Sequence, residues 1–201
     1  MMLKKLLVAS HNQGKIKEIR RLLEPYGTEV LSAADLQLPD VEETGTTFAE
    51  NAALKAKELA RLSGMTCLAD DSGLCVDALG GRPGVYSARY APERDFAKGM
   101  AKLLTEMAAS GNPSRAAHFS CVLALAEPDG NCRFFEGRVD GRLLEAPRGN
   151  GGFGYDPLFM PEGRDVTFAE MDGDEKNKIS HRGRAFQKFI KGVYETADAA
   201  L

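Results

Sequence analysis

The chain has 201 residues, 43% hydrophobic and 27% charged, as in one compact domain or two packed lobes that fold without disulfides or structural metals. Its net charge of −3 supplies no basic field for nucleic acid, so a polyanionic ligand has to meet local cations or a metal. The four cysteines form no C-x-x-C pair, so a zinc site is not expected. No apolar run reaches signal-peptide or membrane-spanning length. We therefore expect no membrane segment and a cytoplasmic location.

The first half of the sequence predicts strands that alternate with helices. Strands are indicated by short apolar runs, and helices by apolar residues at helical spacing, with Thr47 to Glu50 fitting a capping box and Gly64 a helix stop. In chain order these segments are a strand at 3–10, a helix from about 16 to 23, a strand at 29–31, a helix from Thr47 to about Ser63, a short strand at 66–69 that leads into Asp70, and a strand or turn at 74–79.

The second half predicts a helix, a β-hairpin and a final helix. Pro128-Asp129-Gly130-Asn131 is typical of a hairpin loop. The predicted segments are a helix at 95–109, strands at 118–126 and 132–139, a short strand at 142–145, and a helix from about Ser180 to Val193. The order favours an α/β protein with a mixed, twisted β-sheet and flanking helices.

The first candidate for chemistry is Ser10-His11-Asn12-Gln13-Gly14-Lys15, where the first strand turns into the first helix. N–H groups at a helix start attract phosphate, Ser10 and Asn12 can add hydrogen bonds, and Lys15 adds a positive charge. An ordinary helix cap beside an exposed lysine explains the segment equally well. The segment is not a Walker A loop, because the G-x-x-x-x-G-K-[ST] pattern is absent.

Carboxylates form the second candidate. Asp70 and Asp71 follow a predicted strand and precede a glycine, a position that suits Mg²⁺ and lets a carboxylate accept a proton from water. A turn in which an aspartate bonds its own backbone explains one of the two better than both. Glu42 and Glu43, before the second helix, are candidate metal ligands or solvated loop charges.

The second helix and the glycine-rich segment are each open to two interpretations. Lys55 shares a helix face with Asn51 and is either a surface lysine or a phosphate clamp. Gly149 to Gly154 matches G-x-G-x-x-G, but Pro147 and the following Tyr-Asp-Pro oppose the helix that a dinucleotide fingerprint requires. We interpret it as a loop whose Phe153 and Tyr155 rings either stack on a base or pack against the sheet.

A polar cluster precedes the last predicted helix. It consists of Lys176, Lys178, His181 and Arg182, and the last two are potential readers of a nucleobase. A solvated helix entrance with Ser180 as N-cap is the ordinary alternative.

The order of these segments is more informative than any one of them. The series runs Ser10-x-Asn12-x-x-Lys15, Glu43-Thr44-Gly45, Phe48-x-Glu50-Asn51-Ala52, Lys55-Ala56, Asp70-Asp71-Ser72-Gly73-Leu74, Ala78-Leu79-Gly80-Gly81-x-Pro83-Gly84-x-Tyr86-Ser87-Ala88-Arg89-Tyr90, Gly151-Gly152-Phe153-Gly154-Tyr155-Asp156-Pro157 and Glu175-Lys176-Asn177-x-x-Ser180-His181-Arg182. Over essentially the whole chain it resembles the Ham1/RdgB family of inosine triphosphate pyrophosphatases. Ser10 stands where many members have threonine, a change that keeps the hydroxyl.

The resemblance implies a single domain over residues 1–201 with two lobes around a central cleft, active as a homodimer. From the charge and the apolar runs described above, neither nucleic acid nor a membrane is expected as a partner. It implies Mg²⁺-dependent hydrolysis of non-standard purine nucleoside triphosphates such as ITP, dITP and XTP to the monophosphate and pyrophosphate. Asp71 would be the general base and a metal ligand, with Glu43 as a second ligand and Asp70 in support. The implied substrate contacts are Ser10, His11, Asn12, Gln13, Gly14, Lys15, Lys55 and Lys176 for the triphosphate, Phe153, Gly154, Tyr155, Asp156, His181 and Arg182 for the base, and Ser72.

Two other functions are considered. A Maf-like pyrophosphatase for pyrimidine triphosphates is opposed by the Phe153 loop and by the His181-Arg182 pair. A nucleotide-binding regulatory module without turnover is opposed by the paired aspartates beside a phosphate-binding turn.

Overall fold

The structure, a computed structural model, describes residues 3–195, so residues 1–2 and 196–201 of the predicted domain lie outside the described part. In residues 3–195 no helix is long and apolar enough to cross a membrane. The strands are β1 (Lys5–Val8), β2 (Glu29–Ser32), β3 (Cys67–Val76), β4 (Ala116–Ala126), β5 (Cys132–Leu143) and β6 (Phe159–Pro161). The α-helices are α1 (Gln13–Leu23), α2 (Phe48–Ser63), α3 (Phe96–Ala109), α4 (Gly173–Ile179) and α5 (His181–Ile190).

Helix α2 begins and ends where local sequence predicts, whereas α1 ends at Leu23 as predicted but begins at Gln13, before the predicted start. Asn12 caps α1 by accepting the N–H of Lys15 at 3.0 Å, and Thr47 caps α2 by accepting the N–H of Glu50 at 3.1 Å. Gly64 ends α2 in the left-handed region at φ 69°. The Glu50 carboxylate of the predicted capping box accepts the N–H of Thr46, one residue before the cap, at 2.7 Å.

The predicted strand end before Asp70 is wrong. β3 continues without a break from Cys67 to Val76, so Asp70 and Asp71 lie in the middle of a strand, and Asp71 is buried. Adjacent acids indicate a strand end because ionised carboxylates are costly to bury. Here lysines distant in sequence bond this segment, so the strand continues through it.

The hairpin prediction is confirmed in part. β4 and β5 are neighbours in the sheet, and the N–H of Glu127 donates to the carbonyl of Asn131 at 2.8 Å in the turn that joins them. The separate strand predicted at 142–145 is wrong, because β5 itself extends to Leu143. β6 and α4 were not predicted, because β6 has only three residues and α4 buries none of its residues, so neither carries a readable apolar period. The last predicted helix is confirmed as α5, which continues into a π-helical turn at Lys191–Glu195.

The sheet has the order β2-β1-β3-β4-β5-β6. β1 pairs in parallel with β2 and β3, whereas β5 and β6 are antiparallel. The parallel pairs follow from α1 and α2, because parallel neighbours need crossover connections. The predicted α/β class with a mixed sheet is therefore confirmed.

The chain divides into two compact units. The first unit consists of the described chain up to Asp71, residues 122–136 and the described chain from Ala185; the second consists of residues 72–121 and 137–184. One apolar cluster of the first unit is rich in small side chains: Ala33, Ala52, Ala56, Ala60, Ala69, Ala124 and Ala126. The core of the second unit is rich in aromatic rings: Tyr90, Phe119, Tyr155, Phe159 and Phe168.

Candidate functional site

In the first unit, the turn from β1 into α1 is ordered by its own side chains. The Ser10 hydroxyl oxygen accepts the N–H of Asn12 at 3.1 Å, and Asn12 in turn caps the helix through Lys15. Gln13 and Gly14 are exposed in the first helical turn, where N–H groups have no partner within the helix. The predicted phosphate turn is thus an exposed helix start.

His11, in the same turn, is held by the loop that follows β2. Its Nε2 lies 3.2 Å from the carbonyl oxygen of Leu38, and its Nδ1 lies 2.9 Å from Asp40 Oδ1. Both ring nitrogens thus face protein atoms, and the ring links the β1–α1 turn to that loop.

Lys15 pairs with the first of the two aspartates. Its Nζ donates to both carboxylate oxygens of Asp70, at 2.8 and 3.0 Å. Successive strand residues point to opposite faces of a sheet, so Asp70 and Asp71 diverge from one backbone segment. Asp71 lies on the side of Cys67 and Ala69, which pack in the same apolar cluster as α2.

Lys55 on α2 connects the strand to the loop before the helix. Its Nζ donates to Glu43 Oε1 at 2.8 Å and to the backbone carbonyl oxygen of Asp70 at 2.6 Å. Burial lowers the pKa of this ammonium, but Asp70, Glu43 and Asp71 outweigh burial and raise the pKa above its usual range. Lys55 is therefore a charged, part-buried member of the cluster, not a surface lysine. Glu42, the alternative to Glu43, is exposed.

Asp71 is the most buried carboxylate of this cluster. Its side chain is buried, and burial raises its pKa to about 6. Lys55 and the Asn51 amide oppose the rise, whereas the charges of Glu43 and Asp70 add to it. A carboxylate with this pKa is ionised at neutral pH and is a better proton acceptor than an ordinary aspartate.

Asn51 is the residue of this cluster that sequence reasoning missed. It is fully buried on α2, and its Oδ1 accepts the N–H of Gly45 at 2.8 Å. Gly45 has no room for a side chain, because a Cβ would lie 2.7 Å from Asn51 Oδ1 and 2.7 Å from Glu50 Cβ. The available signal was the spacing of Asn51 and Lys55, one turn apart on one face.

The donor set of the cluster fits a hard divalent cation. Glu43, Asp70 and Asp71 supply only carboxylate oxygens, the ligands that Mg²⁺ prefers. Within residues 3–195, no group of three or more His, Cys, Asp or Glu side chains is arranged as a ready metal site. Mg²⁺ usually takes only one or two protein carboxylates together with waters and phosphate oxygens, so this set remains compatible with the ion.

In the second unit, Asp156 organises the glycine-rich loop. Its buried Oδ2 accepts the N–H of Phe153 at 3.0 Å and lies 2.5 Å from Lys176 Nζ. A Cβ on Gly152, at φ 66°, would collide with that carboxylate. The Phe153 ring is 65% exposed, and the Lys176 ammonium lies 4.8 Å from its centroid. Phe153 thus presents an accessible ring, and the buried ion pair of Asp156 and Lys176 holds its loop in place.

Tyr155 takes the packing role that sequence left open. The side chain is buried, and its hydroxyl donates to the carbonyl of Ser87 at 2.6 Å. Its ring meets Phe96 edge-to-face at 5.4 Å, and Phe96 also borders Gly154. Burial raises the pKa of Tyr155 to about 12, which keeps the phenol a neutral donor.

The predicted base-reading pair lies at the start of α5, also in the second unit. Ser180 caps the helix by accepting the N–H of Gly183 at 3.1 Å, which is the cap named by the ordinary alternative. His181 is buried and stacks on Phe119 with ring centroids 4.7 Å apart, and Arg182 is half-buried beside it. Ser72, the remaining predicted contact, is half-buried in β3.

The second unit also contains a cavity of about 400 Å³ that includes none of the predicted site residues. It is lined by Arg138, Arg142, Arg164 and His118 and by Asp77, Asp140 and Glu162, so its opposite charges nearly balance. The structure thus forms two separate sets of predicted residues: Lys15, Lys55, Glu43, Asp70 and Asp71 in the first unit, and Phe153, Asp156 and Lys176 in the second.

Known proteins are similar to this α/β chain along nearly its whole length. The Ham1 family model matches residues 6–192. A dITP/XTP pyrophosphatase of Ruegeria pomeroyi is 51% identical over 94% of this chain and 95% of its own, and one of Streptomyces avermitilis is 49% identical over 95% and 98%. A solved HAM1 protein from Coxiella burnetii, 39% identical, superposes with a TM-score of 0.92 and covers 97% of this chain and 100% of its own. The chain belongs to the Ham1 family.

Proposed function

We propose that this protein hydrolyses non-standard purine nucleoside triphosphates, among them ITP, dITP and XTP, to the monophosphate and pyrophosphate with Mg²⁺. The observation that carries the proposal is the cluster of three carboxylates and two lysines in the first unit, in which burial raises the pKa of Asp71 to about 6. The name dITP/XTP pyrophosphatase, borne by relatives that are about half identical, supports the substrate class.

The first-unit cluster suits the triphosphate. Its phosphates repel any attacking oxygen, so catalysis depends on positioning and charge neutralisation. Lys15, Lys55 and the exposed start of α1 would bind phosphate oxygens. Glu43 and Asp71, supported by Asp70, would hold Mg²⁺, which neutralises phosphate charge and orients the phosphate oxygens when bound.

Asp71 is assigned as the general base. Its carboxylate would orient a water and accept the proton that the water loses as it attacks. A pKa of about 6 leaves it ionised at neutral pH yet more basic than an ordinary aspartate. Lys55, bonded to the carbonyl of Asp70, would keep the strand segment in place during the reaction.

The second-unit residues would hold the purine. The exposed ring of Phe153 offers a stacking surface, and Asp156 and Lys176 keep its loop in place. Arg182 would donate to the oxygen at purine position 6 of ITP or XTP. ATP carries an amino donor there, so a donor would face a donor, at a cost of roughly 1–3 kcal/mol for each unsatisfied group.

A pyrophosphate-release assay tests the proposal. ITP, dITP, XTP, GTP, ATP and a pyrimidine triphosphate are compared at equal concentration, with Mg²⁺ and with EDTA. We expect ITP, dITP and XTP to yield one pyrophosphate per monophosphate. GTP should release less pyrophosphate than ITP, and ATP should release little. No pyrophosphate should be released in EDTA. Faster hydrolysis of the pyrimidine triphosphate, equal turnover of ATP, or full activity in EDTA would each contradict it.

We also propose, from the family resemblance, a homodimer that acts in the cytoplasm on nucleotides and not on nucleic acid. Light scattering during size exclusion would give the oligomeric state, since a dimer has twice the 21.8 kDa of one chain. A monomer at micromolar concentration would contradict the dimer.

A further inference from the structure

Asn51 occupies a position at which a polar side chain needs a reason. It is fully buried in the first turns of α2, among residues whose side chains are mostly apolar. Burying an amide without hydrogen bonds costs about 1–3 kcal/mol in proteins, and asparagine is a poor helix former. Neither helix propensity nor core packing accounts for this residue.

One end of the Asn51 amide holds the loop that carries Glu43. The Oδ1 atom accepts the N–H of Gly45, two residues after Glu43, at 2.8 Å. The glycine allows the approach, because a Cβ there would lie 2.7 Å from the same oxygen. The loop can therefore reach its position only while residue 51 supplies an acceptor and residue 45 lacks a side chain.

The other end of the amide is directed toward β3. Asn51 Nδ2 is buried inside the protein. The Asp71 carboxylate lies within hydrogen-bonding reach of this amide. One side chain thus contacts the Glu43 loop through its oxygen and approaches Asp71 through its nitrogen.

We infer that Asn51 is a positioning residue that ties the Glu43 loop to the Asp71 strand, so that both carboxylates stand ready for one divalent cation. The inference rests on the proposed function, because that proposal assigns Glu43 and Asp71 to the cation. Lys55, one helical turn further along the same face, makes the parallel connection between Glu43 and the Asp70 carbonyl. Asn51 acts on the carboxylates by placement, without touching the substrate.

The neighbouring residue provides a matched control. Glu50 also anchors this loop, through the N–H of Thr46 at 2.7 Å and its hydroxyl at 3.2 Å, but its carboxylate is on the exposed side of the helix. Glu50→Ala removes a loop anchor of similar sequence span without changing the group beside Asp71. It separates general loosening of the loop from placement of the carboxylates.

The test measures Mn²⁺ binding to the full chain in the absence of nucleotide, with electron paramagnetic resonance to monitor the binding. Outer-shell partners of metal ligands are commonly worth about 10- to 100-fold in metal affinity. We therefore expect Asn51→Ala and the similarly sized Asn51→Leu to weaken Mn²⁺ binding at least about tenfold. Glu50→Ala should change it less than about threefold, with thermal unfolding confirming that each variant is folded.

A double-mutant cycle identifies the route of the effect. If Asn51 acts through Glu43, Asn51→Ala should weaken Mn²⁺ binding less in a Glu43→Gln background than in the wild type. Additive losses, unchanged binding in Asn51→Ala, an equal loss in Glu50→Ala, or two Asn51 variants that do not fold would overturn the inference. Failure of the wild type to hydrolyse ITP would instead contradict the proposed function, and is measured separately.

Discussion

The two sets of candidate site residues are built on different principles. In the first unit the site residues are charged side chains, and lysines on α1 and α2 hold the aspartate segment of a buried strand. In the second unit, one buried carboxylate, Asp156, orders a glycine-rich loop through its backbone and leaves the Phe153 ring exposed. Fixed charges suit the charged part of a ligand. An exposed ring, on a loop that a buried carboxylate holds in place, suits a flat and neutral part of the ligand. Substitutions in the first set should therefore affect turnover, and those in the second, affinity and selectivity.

The largest effect should come from Asp71→Asn. The change keeps the size of the side chain and removes the proton acceptor, so kcat for ITP should fall by about 10²-fold or more, the usual scale for a general base. KM should change much less. Steady-state kinetics at saturating Mg²⁺ measure both, and near-full turnover in the variant would mean that another carboxylate is the base.

The next effect concerns selectivity in the second unit. Arg182→Ala removes the proposed donor to the purine 6-oxygen, so the ratio of kcat/KM for ITP to that for ATP should fall about tenfold or more. Arg184→Ala is the control, because its guanidinium donates to the backbone carbonyl of Arg138 at 2.7 Å. An unchanged ratio in Arg182→Ala would reject the donor explanation of base selection.

Phe153→Ala tests the stacking surface. Loss of a base–aromatic stack is worth about 1–3 kcal/mol, so KM for ITP should rise about tenfold while kcat changes little. Phe134→Ala removes another exposed phenylalanine, 45% exposed on β5, and should leave KM unchanged. Equal effects of the two changes would show that Phe153 has no special contact with the substrate.

The smallest effect is one of stability. Because folding raises the pKa of Asp71 from 3.8 to about 6, the folded state binds its proton more tightly, and that stabilisation is lost as pH rises through about 6. Asp71→Asn does not titrate. In EDTA, raising the pH from 4 to 7 should increase the free energy of unfolding of the Asp71→Asn variant, relative to that of the wild type, by about 1–3 kcal/mol. A difference independent of pH in thermal unfolding would contradict the raised pKa.

How much could be predicted depended on how local the determining contacts are. The bounds of α2 followed from Thr47 and Gly64, because helix caps act within a few residues. The continuation of β3 through Asp70 did not, since its partner Lys15 is 55 residues away. Chemistry-bearing residues could be nominated by type, and Glu43 and Lys55 do meet. The burial of Tyr155 and the bond from Gly45 to Asn51 depend on tertiary packing, which no local pattern encodes.

The uninterrupted course of β3 has a consequence for how the chain can vary in length. Side chains along a strand alternate between the two faces of the sheet. One inserted or deleted residue therefore moves every side chain that follows it in the strand to the opposite face. One extra residue before Asp70 would turn Asp70 toward Asn51 and Asp71 away, with every amino acid still present. The exposed turn between β4 and β5 has no such requirement, because loops tolerate a change in length. The spacing from Cys67 to Asp71 therefore carries information that composition does not, and tolerance to length change should differ sharply between these two places.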